Sequence, residues 1–203
     1  MDPLEEIRRQ ITAHEMNKWA KELGYEPIYT AAKSAKIMIV GQAPGRIAQT
    51  TRKPWNDVSG VRLRQWLGLT DEQFYDPSFI ALVPMDFYYP GKGKHGDLPP
   101  RAGFAEHWHP LLIEYMPDIE LVILVGRYAQ AYYLKDTNKR TLSETVAAYQ
   151  EYAPQYFPLV HPSPLNFRWR AKNPWFENEV VPKLSQVVAR IVEKHYQTKQ
   201  TRD

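Results

Sequence analysis

The sequence predicts an α/β protein, a three-layer α/β/α sandwich around a central, mostly parallel four-stranded sheet. Four short runs of consecutive apolar residues are typical of strands that are covered on both faces. Segments with helical periodicity separate these runs, as in parallel sheets. Glycine- and proline-rich loops follow three of the runs, at the strand ends where such sheets bind ligands.

Length and composition fit one globular domain spanning residues 1–203. The chain is 43% hydrophobic and 24% charged, and it carries a net charge of +3. This mildly positive charge is compatible with a polyanionic partner but does not by itself indicate one. It has no cysteine. This excludes disulfides, thiolate catalysis and a cysteine-held zinc ion or iron–sulfur cluster. We expect neither a metal nor an organic cofactor.

The first predicted elements are a helix, a strand and a second helix. Residues 3–22 carry apolar side chains on one stripe, which indicates an amphipathic helix. Residues 36–41, "KIMIVG", form a continuous apolar run and predict a buried strand. Residues 57–69, "DVSGVRLRQWLGL", again show helical spacing of apolar side chains.

The middle of the chain repeats this alternation. Residues 78–85, "SFIALVPM", predict the second strand. Residues 103–116 predict a helix that is kinked or restarted at Pro110, because proline removes a helix hydrogen bond. Residues 121–126, "LVILVG", give the clearest strand in the sequence.

The last third predicts two short helices, a strand and a long closing helix. The two helices cover 127–134 and 141–150, and the strand covers 156–161. The closing helix covers 173–196, with Asn173 as its N-cap and a proline in its first turn.

Three loops at strand ends carry the unusual residues. They read "GQAPGR" after the first strand, "PMDFYYPGKGKHGDLPPR" after the second and "HPSPLNFRWR" after the fourth. Chain order alone does not bring them together, but a parallel sheet would.

Two of these loops resemble the signature loops of the uracil-DNA glycosylase superfamily. In its best-known branch the first loop reads Gly-Gln-Asp-Pro and the second reads His-Pro-Ser-Pro-Leu. This chain matches the first at Gly41, Gln42 and Pro44, and it matches all of the second at 161–165. The resemblance extends over about residues 36–184.

The resemblance implies a monofunctional DNA glycosylase of base excision repair. Such an enzyme flips a deaminated or damaged base, uracil above all, out of the DNA stack. It then hydrolyses the N-glycosidic bond. Two alternatives remain open: a non-catalytic module that binds damaged DNA, and a hydrolase of free nucleosides or nucleotides.

The resemblance also assigns roles to residues. His161 would donate to the base carbonyl that gains negative charge, Trp55 would stack on the flipped base, and Leu165 would fill the hole that the base leaves. Each residue also has an alternative without function. His161 could close the strand end with bonds to the backbone, Trp55 could pack under the following helix, and Leu165 could be an exposed or half-buried loop leucine. The base pocket is expected to comprise Gly41, Ala43, Pro44, Gly45, Trp55 and Asp86.

Water activation departs from the relatives, because Ala43 occupies the position of their Asp or Asn. The candidates for the catalytic contact with water are Gln42, Asp57 and Asp86, and the sequence does not choose between them. An Asp before a helix, such as Asp57, is also a common N-cap. Asp86 could read the edge of the base, since the end of the second strand has no Asn.

Basic and loop residues predict DNA as the partner. Cationic side chains cluster in all three loops, and phosphate contacts dominate the affinity of DNA-binding proteins. A solvated basic surface is the alternative. The expected DNA contacts are Arg46, Lys92, Ser163, Leu165, Asn166 and Arg168, within clusters that also include Arg62, Arg64, Arg101 and Arg170.

The remaining expectations concern location and assembly. The first ten residues contain acids and no long apolar run, so we expect neither a secretory signal nor a transit peptide. No window reaches the roughly 18 apolar residues of a membrane helix. We therefore expect a cytoplasmic monomer with no membrane partner.

Overall fold

A computed structural model describes residues 2–200 of the chain. Its central sheet has four strands in the order β2-β1-β5-β6, and each neighbouring pair is parallel. A separate two-stranded hairpin joins β3 to β4. The strands are β1 (Ile37–Val40), β2 (Ile80–Leu82), β3 (Lys92–Gly93), β4 (Gly96–Asp97), β5 (Leu121–Val125) and β6 (Tyr156–Leu159).

Helices cover both faces of this sheet, which confirms the predicted α/β/α architecture. The helices are α1 (Pro3–Ala13), α2 (Lys18–Glu22), α3 (Arg46–Thr51), α4 (Val58–Leu67), α5 (Asp71–Tyr75), α6 (Phe104–Tyr115), α7 (Arg127–Leu134), α8 (Leu142–Ala147), α9 (Phe167–Lys172) and α10 (Val181–Gln200).

The strands divide the hydrophobic core into two layers. Met38 and Val40 of β1 pack with α1, α6 and α7, whereas Ile37 and Ile39 pack with α4, α8 and α10. Alternate side chains of a strand point to opposite faces, so a strand that is apolar throughout supports both layers. This is why the sequence shows continuous apolar runs.

One predicted helix is broken, and another contains a π-helical segment. The helix expected at 3–22 ends at Ala13, because His14 has an extended backbone and its Nδ1 accepts a hydrogen bond from the Met16 N–H. The closing helix follows Asn173 directly, and it includes a π-helical segment at Phe176–Val180. The Asn173 side-chain oxygen accepts from the Trp175 indole rather than from a backbone N–H.

The strand register brings the three unusual loops to one edge of the sheet. Ile39 of β1 is aligned with Leu82 of β2 and with Ile123 of β5, which is aligned with Phe157 of β6. The carboxyl ends of β1, β2 and β6 therefore lie at one edge. Within residues 2–200, no helix is long and apolar enough to cross a membrane.

Candidate active site

The loop at 41–45 leaves β1 and is held by the loop that follows β2. The Met85 N–H donates to the Gly41 carbonyl at 2.8 Å, and the Asp86 N–H donates to the Gln42 carbonyl at 3.1 Å. These bonds continue the parallel pairing of β1 and β2 beyond the strands. They fix the backbone of this loop at the edge of the sheet.

Trp55 forms a wall over this loop. Its φ of 55° lies in the left-handed region, which is a genuine outlier for a bulky residue. Its carbonyl accepts hydrogen bonds from Arg64 Nη1 at 3.3 Å and from the Tyr75 hydroxyl at 3.2 Å, which hold the strained backbone. A Cβ at Gly41 would lie 2.8 Å from Trp55 Cζ2, so only glycine lets the ring lie this close.

His161 stands beside Trp55, with the two ring centroids 5.7 Å apart. Its Nδ1 accepts the Ser163 N–H at 3.1 Å, so in the neutral ring the proton is on Nε2. The Asn166 amide donates to the His161 carbonyl at 2.8 Å and fixes the loop. Burial lowers the pKa of His161, and the negative charges of Asp57 and Asp97 oppose that effect. The ring is therefore a neutral N–H donor at pH 7.

These walls enclose a pocket of about 110 Å³, which is room for several water molecules. Its lining includes two carboxylates, Asp57 and Asp97, together with His161. The loop and hydrophobic residues that complete the lining are Ile28, Gly41, Gln42, Ala43, Pro44, Gly45, Ala48, Pro54, Trp55 and Pro84.

Gln42 and Asp57, two of the predicted catalytic residues, reach this pocket but also support the fold. The Gln42 amide donates to the Leu98 carbonyl at 2.9 Å, which ties the first loop to the hairpin. Asp57 Oδ1 accepts the Gly60 N–H at 2.9 Å and caps α4. Asp57 therefore caps α4, as the sequence allowed, and it also lines the pocket.

Asp86 does not line the pocket, so its predicted contact with the base is wrong. The side chain is completely buried, and Arg101 binds both carboxylate oxygens, at 2.7 and 2.8 Å. A buried carboxylate needs such a partner because desolvation of an unpaired charge is costly. The Arg101 side chain is only 24% exposed, and its guanidinium also donates to the Met16 carbonyl at 2.7 Å and to Asn17 Oδ1 at 2.9 Å, so it is engaged within the protein.

The predicted DNA contacts fall into two groups. Arg46, Lys92 and Arg168 are exposed, and Leu165 is 81% exposed on the loop that carries His161. Ser163 and Asn166 are partly buried instead and hold that loop, since Ser163 Oγ accepts the Leu165 N–H at 3.2 Å.

Two other basic residues of the predicted DNA clusters turn inwards, as does the nearby Trp169. Arg64 is buried against Trp55 and pairs with Asp71 at 2.6 Å. Arg170 pairs with Glu177 at 3.2 Å. The Trp169 indole donates to Ser143 Oγ at 2.9 Å, and this partly buried ring packs against the core.

Sequence reasoning missed Asp97 as a pocket residue. Its position inside the unusual loop after β2 was a signal, but the hairpin of β3 and β4 is needed to bring it back beside Gly45. The carboxylate of Asp97 lies 4.0 Å from where a Gly45 Cβ would be. Among the described residues, no cluster of three or more His, Asp or Glu side chains could hold a metal ion.

The family model described as the uracil DNA glycosylase superfamily matches residues 27–185. Among solved structures, the chain is similar to a proposed uracil DNA glycosylase from Methanosarcina acetivorans, determined by solution NMR. The two are 16% identical, with a TM-score of 0.46 over 78% of this chain and 94% of the other.

Proposed function

The chain belongs to the uracil DNA glycosylase superfamily, and we propose that it is a DNA glycosylase acting on a deaminated or damaged base. Uracil is the first candidate substrate. The enzyme flips the nucleotide out of the DNA, binds the base in the pocket and hydrolyses its N-glycosidic bond, so that an abasic site remains. This is a base-excision step that needs no cofactor.

One observation carries this proposal: a neutral imidazole N–H and an aromatic wall share one pocket. Cleavage of the glycosidic bond leaves negative charge on the base. His161 Nε2 can donate to the oxygen where that charge develops, and the donor is already oriented through its Nδ1 bond to Ser163. Trp55 supplies the face on which the flipped base stacks, worth roughly 1–3 kcal/mol per base.

The surface around the pocket supports DNA as the substrate. Leu165 is exposed on the loop of His161, where its side chain could occupy the gap left by a flipped base. Arg46, Lys92 and Arg168 are exposed around the same loops and would contact phosphates. The monomeric state and the cytoplasmic location stay predictions.

A panel of oligonucleotides, each with a single modified base, tests the proposal. Each is incubated with excess protein as single strand and as duplex, and abasic sites are detected by alkaline strand cleavage. We expect abasic sites from uracil or from another deaminated base, and little release from free nucleosides. Binding without abasic products from any base would support the non-catalytic module instead. Release from free nucleosides alone would support the nucleoside hydrolase.

A further inference from the structure

Asp97 lies outside the two signature loops, and the hairpin of β3 and β4 places its carboxylate in the pocket lining. It is the last residue of β4, opposite Lys92 in the hairpin register. The Gln42 side-chain amide donates a hydrogen bond of 2.9 Å to the carbonyl of the next residue, Leu98, and this bond attaches the hairpin to the first loop. This attachment keeps Asp97 beside Gly45.

The three acids considered for the site differ in what they already bind. Asp86 has both oxygens bound by Arg101, and Asp57 uses Oδ1 to cap α4. Asp97 lines the pocket, and its neighbour is the Tyr89 hydroxyl. The pKa of Tyr89 is raised by burial and, next, by the charge of Asp97, so this hydroxyl stays protonated beside the carboxylate.

The charges that develop on the sugar and the base during the reaction indicate which of the two Asp97 would contact. Breaking the glycosidic bond makes the sugar cationic and the base anionic, so a carboxylate helps at the sugar and hinders at the base. A flipped nucleotide enters with its base first, and its sugar stays at the mouth. Asp97 and Asp57 are both exposed residues of the pocket lining, which places both carboxylates at that mouth, while His161 is partly buried. Of the two, Asp57 already uses Oδ1 to cap α4.

We propose that Asp97 is a catalytic residue that activates the attacking water at the sugar. The water oxygen bonds to C1′ and gives a proton to the Asp97 carboxylate. The C1′–N bond breaks, and its electron pair leaves with the base, which accepts a hydrogen bond from His161. Asp97 then releases its proton to solvent, and the base anion takes one up. This step rests on the proposed glycosylase function, and it supplies the polar group that Ala43 lacks.

Asp97→Asn tests the assignment because it keeps the shape of the side chain and removes the charge. On the base that the wild type releases fastest, we expect a single-turnover rate reduced by about 10²-fold, within the usual range for general base catalysis. Binding of the same base on a cleavage-resistant 2′-fluorinated sugar should stay close to that of the wild type. Asp136→Asn, at an exposed position beyond α7, is the control with the same change of net charge.

Asp97→Ala adds a second readout that a structural role would not change. Sodium formate should raise its rate above that in sodium chloride at equal ionic strength, because formate can accept the proton in place of the missing carboxylate. Equal rates in the two salts would contradict a role in water activation.

The possible results separate this inference from the proposed function. A wild type that releases no base overturns the proposed function. An active wild type with an equally active Asp97→Asn overturns the role of Asp97 alone, and loss of activity only in Asp57→Asn would assign the water to Asp57. A variant that keeps its rate but changes its preferred base would place Asp97 at the base edge, against this proposal.

Discussion

His109 is not in the pocket lining, but it hydrogen-bonds to a residue that is. Its Nε2 donates to the Pro84 carbonyl at 2.9 Å, and its Nδ1 accepts from the Tyr133 hydroxyl at 2.6 Å. Burial lowers the pKa of His109 to about 4. Since Pro84 lines the pocket, this neutral histidine holds one wall in place.

The depressed pKa predicts how stability depends on pH. Between the unfolded pKa near 6.5 and the folded pKa near 4, the unfolded chain binds more protons at this site. The free energy of unfolding therefore falls as pH falls, by roughly 2 kcal/mol from pH 7 to pH 4.5 for this group. Urea unfolding at both pH values measures the loss.

His109→Gln is the comparison that isolates this effect from the titrating carboxylates. Gln can still donate to the Pro84 carbonyl, but it does not titrate. We expect a smaller loss of stability between pH 7 and pH 4.5 in this variant. The same loss in the wild type and the variant would show that His109 is not the titrating group.

Helix α4 is packed directly against the backbone of Trp55. A Cβ at Gly60 would lie 1.8 Å from the Trp55 carbonyl oxygen and 2.6 Å from its carbonyl carbon. Helix propensity alone would predict that alanine stabilises this helical position by about 1 kcal/mol. The contact reverses that expectation, because the backbone of Trp55 cannot move without losing its bonds to Arg64 and Tyr75.

We therefore expect Gly60→Ala to destabilise the protein by about 1–3 kcal/mol, the usual cost of forcing an extra group into a packed site. Urea unfolding measures this cost, and base release should fall with it as Trp55 moves. Val61→Ala, at the neighbouring and 47% exposed position, should have little effect. A Gly60→Ala variant as stable as the wild type would contradict the described packing.

Leu165 and Trp55 have different proposed roles, the first as a wedge in the duplex and the second as a stacking surface for the base. We therefore expect their substitutions to have different effects. Leu165→Ala should slow base release from duplex DNA more than from single strands, because only a duplex leaves a hole to fill. Trp55→Ala should slow both alike, since stacking on the base is needed in either case. Single-turnover rates on matched single-stranded and duplex oligonucleotides decide, and equal losses for Leu165→Ala would argue against the wedge.

The sequence predicts elements and loops better than it predicts the partners of charged side chains. Apolar runs mark the strands because both faces of the sheet are covered, and Gly41 and His161 lie in loops that are specified locally. Local sequence does not show which of the two carboxylates after β2, Asp86 or Asp97, lines the pocket. The first is removed from the pocket by an ion pair with Arg101, and the second is brought in by a hairpin turn.

Three of the predicted phosphate contacts are exposed cations on the segments that follow β1, β2 and β6: Arg46, Lys92 and Arg168. If each neutralises one phosphate, the affinity for duplex DNA should fall roughly 40-fold between 50 and 200 mM salt. Lys92→Ala should lower the salt slope by about one. Fluorescence anisotropy at several salt concentrations measures both.

Lys135→Ala is the matched control for these measurements. This exposed lysine directly follows α7, which starts at the carboxyl end of β5 and runs away from it. Its removal should leave the salt slope unchanged. Affinity that does not depend on salt would contradict a DNA substrate and would favour a small-molecule hydrolase.

His161→Ala tests whether this pocket releases a base from DNA by stabilising its anion. We expect the single-turnover rate on the preferred substrate to fall by about 10²–10³-fold, the scale for removal of one anion-stabilising donor. The urea midpoint should change little, because His161 is only partly buried. A variant that retains the full rate of base release would show that His161 does not stabilise the base anion.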